Sequence, residues 1–287
     1  MTQPILDSKN QRKANLAGFE LTGANLARYD FSHANLSGAN LTGANLTDAN
    51  LTDANLRYTK LYAINLKGVD LRGANLTFAL LVDANLSGVN LTGATLTNAS
   101  LMRANLTGCN LTDANLTECN LTNTNLSGSD LTDADLSNAN LSGANLTDTS
   151  LNGANLSGAN LMTIVLTDAY LLEANLTGAN LTRGYLKGAN LTGANLTSSV
   201  ISYADLTGAD LTGADLTESY LTGAKVQFTH LRNADLTDAN LTDANLSNAD
   251  LRGANLRGAD LENANFTGAK LECATLYGTI LYNPQVG

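Results

Sequence analysis

Apolar positions recur along this chain every five residues. From Leu16, steps of five reach Leu281 through 54 positions without an insertion or deletion. Fifty of these are Leu, and Phe31, Ile201, Val226 and Phe266 fill the rest. A second restricted slot lies two residues earlier and is Ala in 37 of the 54 units. The residue just before each Leu is Asn or Asp in 38, and two residues after it comes Gly, Asp or Asn in 39. The unit reads A-N-L-T-G.

Period five excludes the usual elements. On an α-helix, five residues advance about 500°, so successive leucines step around the axis and make no stripe. On a continuous strand five is odd, so leucines alternate between faces. A short extended piece followed by a turn fits both facts. Within Ala-Asn-Leu the first and third side chains share a face, and the Thr-Gly step then bends the chain. Gly, Asn and Asp enter positive-φ turns most cheaply. Repeated bends of one sense predict a solenoid with Leu and Ala inside and Asn, Thr and the turn residue outside. Proline occurs only at Pro4 and Pro284, as a ladder between coils requires.

The number of sides per coil does not follow from period five. Departures from the consensus fall 20 apart at Tyr58 and Phe78, at Tyr62, Val82 and Met102, and at Asp113 and Asp133. Others fall 15 apart, at Tyr170, Tyr185 and Val200, so both spacings stay open on these residues.

These residues resemble the pentapeptide-repeat proteins, whose consensus A-(D/N)-L-x-x is matched over residues 14–283. The wording is closest to that of cyanobacterial members. The resemblance implies an all-β fold, a right-handed quadrilateral parallel β-helix with four pentapeptides per coil. About 13.5 coils at ~4.8 Å each then give a rod of roughly 65 Å. Residues 1–13, with Gln11 in a Leu slot, are expected to form an N-terminal cap or tail, and residues 284–287 a C-terminal tail. Terminal coils leave unpaired edges. Tyr277, Ile280 and Tyr282 would lie at such an edge, and a homodimer through this C-terminal coil is expected, as in some family members.

Composition bears on chemistry more than on fold. Trp is absent, aromatics make up 5% of the chain, and charged residues 15%, against about 25% in ordinary soluble domains. No apolar run approaches the ~18 residues of a membrane span. The first residues lack the pattern of a secretory signal, and three cysteines make no disulfide framework. A cytoplasmic protein without membrane contact is expected. His33 and His230 are too far apart in sequence to share a coil. Cys109 and Cys119 occupy Ala slots and read as buried small hydrophobes, whereas Cys273 lies in an outward turn slot. Asn-Leu-Thr and Asn-Leu-Ser match the glycosylation pattern only because the repeat generates them. The glycines recur because turns recur. No catalytic residue, metal site or cofactor is expected, and the chain does not read as an enzyme.

Because the inward slots are monotonous, the outward ones are informative. Residues 1–103 hold seven acids and nine bases, and residues 104–287 hold nineteen acids and seven bases, so the net charges are +2 and −12. In a four-sided register the side of Phe31, Leu51, Leu71 and Leu91 collects most of the surplus. Asp113, Asp130, Asp133, Glu173, Asp210 and Asp250 are its candidate acidic surface. One reading is a solvated face. The other, implied by relatives that protect type II topoisomerases, is a DNA mimic that binds gyrase and competes with DNA. The net charge of −10 is small beside the about 38 charges that a duplex of the same length carries. In the same register Leu80, Val82, Met102, Met162, Val200, Tyr203 and Tyr220 share the side of Leu61, with Tyr62 in the same column as Val82. Tyr58 and Phe78 are expected to stack beside them. Outward apolar clusters mark protein contacts. The outward threonines also suggest flat arrays of the ice-binding kind, but Arg57, Lys67, Arg72, Met102 and Arg232 interrupt them. The expected function is a rod-like scaffold that binds a protein partner through the apolar side or its ends, with no direct nucleic-acid binding.

Overall fold

A computed structural model describes residues 9–279, and the chain divides into two units, Met1–Asn145 and Leu146–Gly287. Both are built alike. The residue in the Asn slot forms a parallel bridge with the residue twenty positions later. In the first unit these bridges run from Asn10↔Asp30 to Asn125↔Asn145, and in the second from Ser150↔Tyr170 to Asn255↔Thr275. Twenty residues are four pentapeptides, so each coil has four sides. The 15-residue coincidences noted above have no counterpart in the ladder.

The consensus becomes intelligible when the five backbone N–H groups of a unit are followed to their acceptors. The N–H of Leu51 donates to Asp70 O in the next coil at 2.8 Å, and that of Asp53 to Arg72 O at 2.9 Å. Asn50 N–H donates backwards to Tyr29 O at 2.9 Å, and Ala54 N–H closes the corner on Leu51 O at 3.0 Å. The remaining donor, the Thr52 N–H, meets Asn50 Oδ1 at 3.0 Å, and the Thr52 hydroxyl donates to the same oxygen at 2.6 Å. Every backbone donor of the unit has a partner, as buried backbone requires. Asn and Asp are therefore common before Leu because their side chains supply the acceptor that the turn lacks. Their amides also join coils, as Asn55 Nδ2 donates to Asn35 Oδ1 at 3.1 Å. Asn50 and Asn55 are thus half-buried, whereas Asn45 and Asn65 in the same slot are exposed.

Every turn slot from Lys13 to Gly278 has φ between +48° and +78°. Glycine fills 23 of these slots without strain. The inward Leu and Ala columns are almost wholly buried, Leu86 and Ala84 at 0% and 1% exposure, for example. Burying one Leu contributes about 1.5–3 kcal/mol, and the columns repeat that gain in every coil. Departures compensate one another. Ile164 overfills an Ala slot, and Gly184 takes the slot twenty residues on; a Cβ there would lie 3.5 Å from Ile164 Cγ2 and 3.1 Å from Leu186 Cδ1. At the N-terminal end, Phe19, Tyr29 and Phe31 replace smaller inward residues, and the Tyr29 and Phe31 rings stack at 5.5 Å. Residues 9–13 already pair with the following coil, with Gln11 N–H on Asp30 O at 2.8 Å. At the other end the inward slots of Phe266, Leu271 and Leu276 are only half-buried.

Candidate partner-binding surface

In the first unit the 20-residue register brings six candidate residues into one patch. Tyr58 and Phe78 occupy turn slots of successive coils at the corner where the chain enters the side of Leu61 and Leu81. Their rings are stacked at 5.1 Å with planes 4° apart, and the Arg57 guanidinium lies 5.4 Å from the Tyr58 ring centre. Beyond the corner come Lys60 and Leu80, bridged to each other, and then the outward column of Tyr62, Val82 and Met102. Tyr58, Tyr62 and Phe78 are exposed, while Leu80, Val82 and Met102 are half-buried between the larger side chains. Asp83, at the far corner, accepts from Arg103 Nε and Nη2 at 2.7 Å each, and these hydrogen bonds hold its carboxyl below the usual range. Arg57 and Lys60 have no carboxylate partner among the described residues. The rim of the patch is therefore cationic.

Both aromatic corner residues sit where large side chains are costly. Tyr58 and Phe78 have φ of 58°, a left-handed conformation that disfavours a bulky L-residue by about 1–2 kcal/mol. Every turn slot shares that φ, so what sets these two apart is the size of their side chains, not their backbone.

The second unit carries a smaller cluster. Val200 and Tyr220 are bridged neighbours, and Tyr203 occupies the following corner at φ 60°. Its ring lies over the next turn, where a Cβ on Gly223 would approach two ring carbons to 2.7 Å. Tyr203 and Tyr220 are 60% and 51% exposed. Met162 is exposed but separated from Val200 by Asn180, so it does not join them. Sequence reasoning left out Leu172 and Phe228, both exposed. Phe228 is a turn-slot aromatic with φ 58°, so the signal that selects Tyr58 and Tyr203 was available for it too.

The acidic candidates divide. Asp113, Asp130, Asp133 and Glu173 are exposed, and Asp210 is half-buried with Oδ2 3.9 Å from His230 Nδ1. Asp250 is not an exposed acid. Its side chain is only 8% exposed and is held by Arg252 Nε and Nη2 at 2.8 and 2.7 Å and by Arg232 Nε at 2.6 Å. Hydrogen bonds from Arg252 and then Arg232 hold its carboxyl well below the usual carboxylate range, against the opposing effect of burial. The ladder causes this, because Arg232 and Arg252 stand just after Leu231 and Leu251 in adjacent coils and converge on one carboxylate.

Cys109 and Cys119 are buried, and their thiols donate to Leu86 O and Leu96 O at 2.9 and 2.8 Å. Burial pushes these thiols up to about 11 and about 12 respectively. Cys273 is exposed. Tyr277 is 78% exposed, and Ile280 and Tyr282 lie outside the described residues. Among the described residues no group of three His, Cys, Asp or Glu is placed to hold a metal ion, and no helix is long and apolar enough to cross a membrane.

A ladder of four pentapeptides per coil with a Leu/Ala interior defines a β-helical repeat protein. The family model described as pentapeptide repeats matches in overlapping segments from 12–48 to 244–283, and the chain belongs to that family. Among solved structures it is similar to HetL, a pentapeptide repeat protein involved in heterocyst differentiation regulation from the cyanobacterium Nostoc sp. strain PCC 7120. The two are 35% identical over 72% of this chain and 92% of HetL, with a TM-score of 0.49. Rfr23 of the cyanobacterium Cyanothece 51142 is 36% identical over 37% of this chain and 63% of its own, with a TM-score of 0.27. QnrB1, a plasmid-mediated fluoroquinolone resistance protein, is 19% identical over 74% of this chain and 88% of its own, with a TM-score of 0.30. A search of curated proteins finds no match.

Proposed function

We propose that the chain is a non-catalytic interaction scaffold whose first unit binds a protein partner through the side of Leu61 and Leu81. The supporting observation is the continuous apolar patch of Tyr58, Phe78, Leu80, Tyr62, Val82 and Met102, two of whose aromatics occupy left-handed turn slots. Glycine would fill those two slots at lower conformational cost. Rigid aromatics with a guanidinium against one of the rings have the composition of a contact hot spot.

A photo-reactive phenylalanine analogue placed at Tyr62 in the cells of origin tests this. A discrete cross-linked protein is expected from position 62, and none from the same analogue at Asp113. Cross-links from Asp113 and none from Tyr62 would move the contact to the acidic side. That outcome would favour the alternative, a DNA mimic directed at a type II topoisomerase, for which exposed Asp113, Asp130, Asp133 and Glu173 provide the charge. Such mimicry predicts inhibition of gyrase supercoiling that fades as salt rises, whereas apolar docking does not weaken with salt.

A further inference from the structure

The two apolar clusters carry opposite charge at the same edge. In the first unit the patch is rimmed, at the corner where the chain enters the side, by Arg57 and Lys60. In the second unit the corresponding corner, next to Val200 and Tyr220, carries Glu218 and Asp238 in its turn slots. Both acids are exposed, and neither has a cationic partner among the described residues. The surroundings follow the same trend. Residues 54–103 hold five bases and two acids, a net +3, and residues 196–245 hold two bases and seven acids, a net −5.

We infer that the occupant of the first unit's patch is the second unit of another copy of this chain. The inference rests on the proposed choice of side and names the partner for it. Tyr220, Val200 and Tyr203 of one copy would cover Phe78, Leu80 and Val82 of the other. Glu218 and Asp238 would meet Arg57 and Lys60. Direction matters here. Two flat sides apposed with their coil axes antiparallel bring like edges together, whereas parallel axes bring opposite edges together. The charges on both units stand at the chain-entering edge, so the antiparallel arrangement pairs plus with minus. Complementary charge fixes register and excludes the wrong pairing, while the apolar contacts supply affinity.

Charge exchange in the full-length chain tests this. One variant carries Arg57→Glu and Lys60→Glu, and the other Glu218→Lys and Asp238→Lys. Sedimentation equilibrium of the unaltered chain is expected to show reversible self-association. In each variant alone the dissociation constant is expected to rise about tenfold or more, because like charges now face each other. An equimolar mixture of the two variants restores complementarity at every contact and is expected to regain association. Unchanged thermal unfolding of both variants provides the folding control. A chain that stays monomeric at all concentrations overturns the inference, as does association that the reversals leave intact or that mixing fails to restore. The cross-link at Tyr62 separates the two claims. A foreign protein captured there with a monomeric chain removes the self-contact and leaves the docking side standing. No cross-link to any protein, this chain included, removes both.

Discussion

Tyr58 and Tyr203 occupy the same slot of the pentapeptide at successive corners of the coil, with φ of 58° and 60°, yet their rings are covered in different ways. In the first unit the slot twenty residues on is Phe78, and the two rings stack. In the second it is Gly223, and the Tyr203 ring fills the space that a side chain there would need. Smaller side chains follow the second pattern. Asp48 Oδ1 lies 2.9 Å from where a Gly68 Cβ would stand, and Asp53 and Asp168 approach Gly73 and Gly188 in the same way. A turn-slot side chain therefore leans onto the following coil, and glycine there is room as well as conformational freedom. Phe78 departs from that rule, and it does so inside the apolar patch.

Removing the support beneath the stacked pair should have the largest effect. Leu76 is fully buried two residues before Phe78. Leu76→Ala is expected to lower stability by about 2–5 kcal/mol, the cost of a truncated core leucine, read by urea unfolding. A loss below about 1 kcal/mol would mean that the coil collapses around the gap and that the corner does not depend on the column beneath it.

The second unit has its own centre of organisation at Asp250. Asp250→Asn is expected to cost about 1.5–3 kcal/mol at neutral pH, the range for hydrogen bonds to charged groups. The direction with pH follows from the lowered carboxyl. Its contribution is fully present above the unfolded value of about 3.9 and is lost as pH falls through the lower folded value. The difference between the native chain and the variant should therefore shrink below about pH 4, and a difference that grew with acid would mean that the pair does not stabilise the fold. Urea titrations at neutral and strongly acidic pH measure it.

The same residue marks the limit of what the sequence reveals. The Leu and Ala columns and the positive-φ turns are legible because each is dictated by a local choice repeated every five residues. Asp250 is not, because its burial depends on Arg232 and Arg252, 18 residues before it and two after. The Arg252 contact is local, as that of Arg72 on Asp70 is, but only the number of sides per coil brings Arg232 to the same carboxylate, and period five is silent on that number. The stacking partner of Tyr58 depends on the same register. The Asx bond of Asn50 to the Thr52 N–H is local, but it escapes a reading that sorts residues only into inward and outward.

The smallest expected change is the most informative about the first unit. Phe78→Gly removes a ring stack worth about 0.5–1.5 kcal/mol and relieves a left-handed strain of about 1–2 kcal/mol. Glycine also raises the entropy of the unfolded chain, opposing the fold by about 0.4–1 kcal/mol. These contributions nearly cancel, so urea unfolding should shift by no more than about 1 kcal/mol despite the loss of a large apolar side chain. Position 78 would then resemble Gly223, with the Tyr58 ring free to settle over it as Tyr203 does. If the patch is a docking side, the cross-link at Tyr62 should weaken while the fold holds. A stability loss above about 2 kcal/mol would instead show that Phe78 belongs to the packing of the coil, and its strained position would need no partner to account for it.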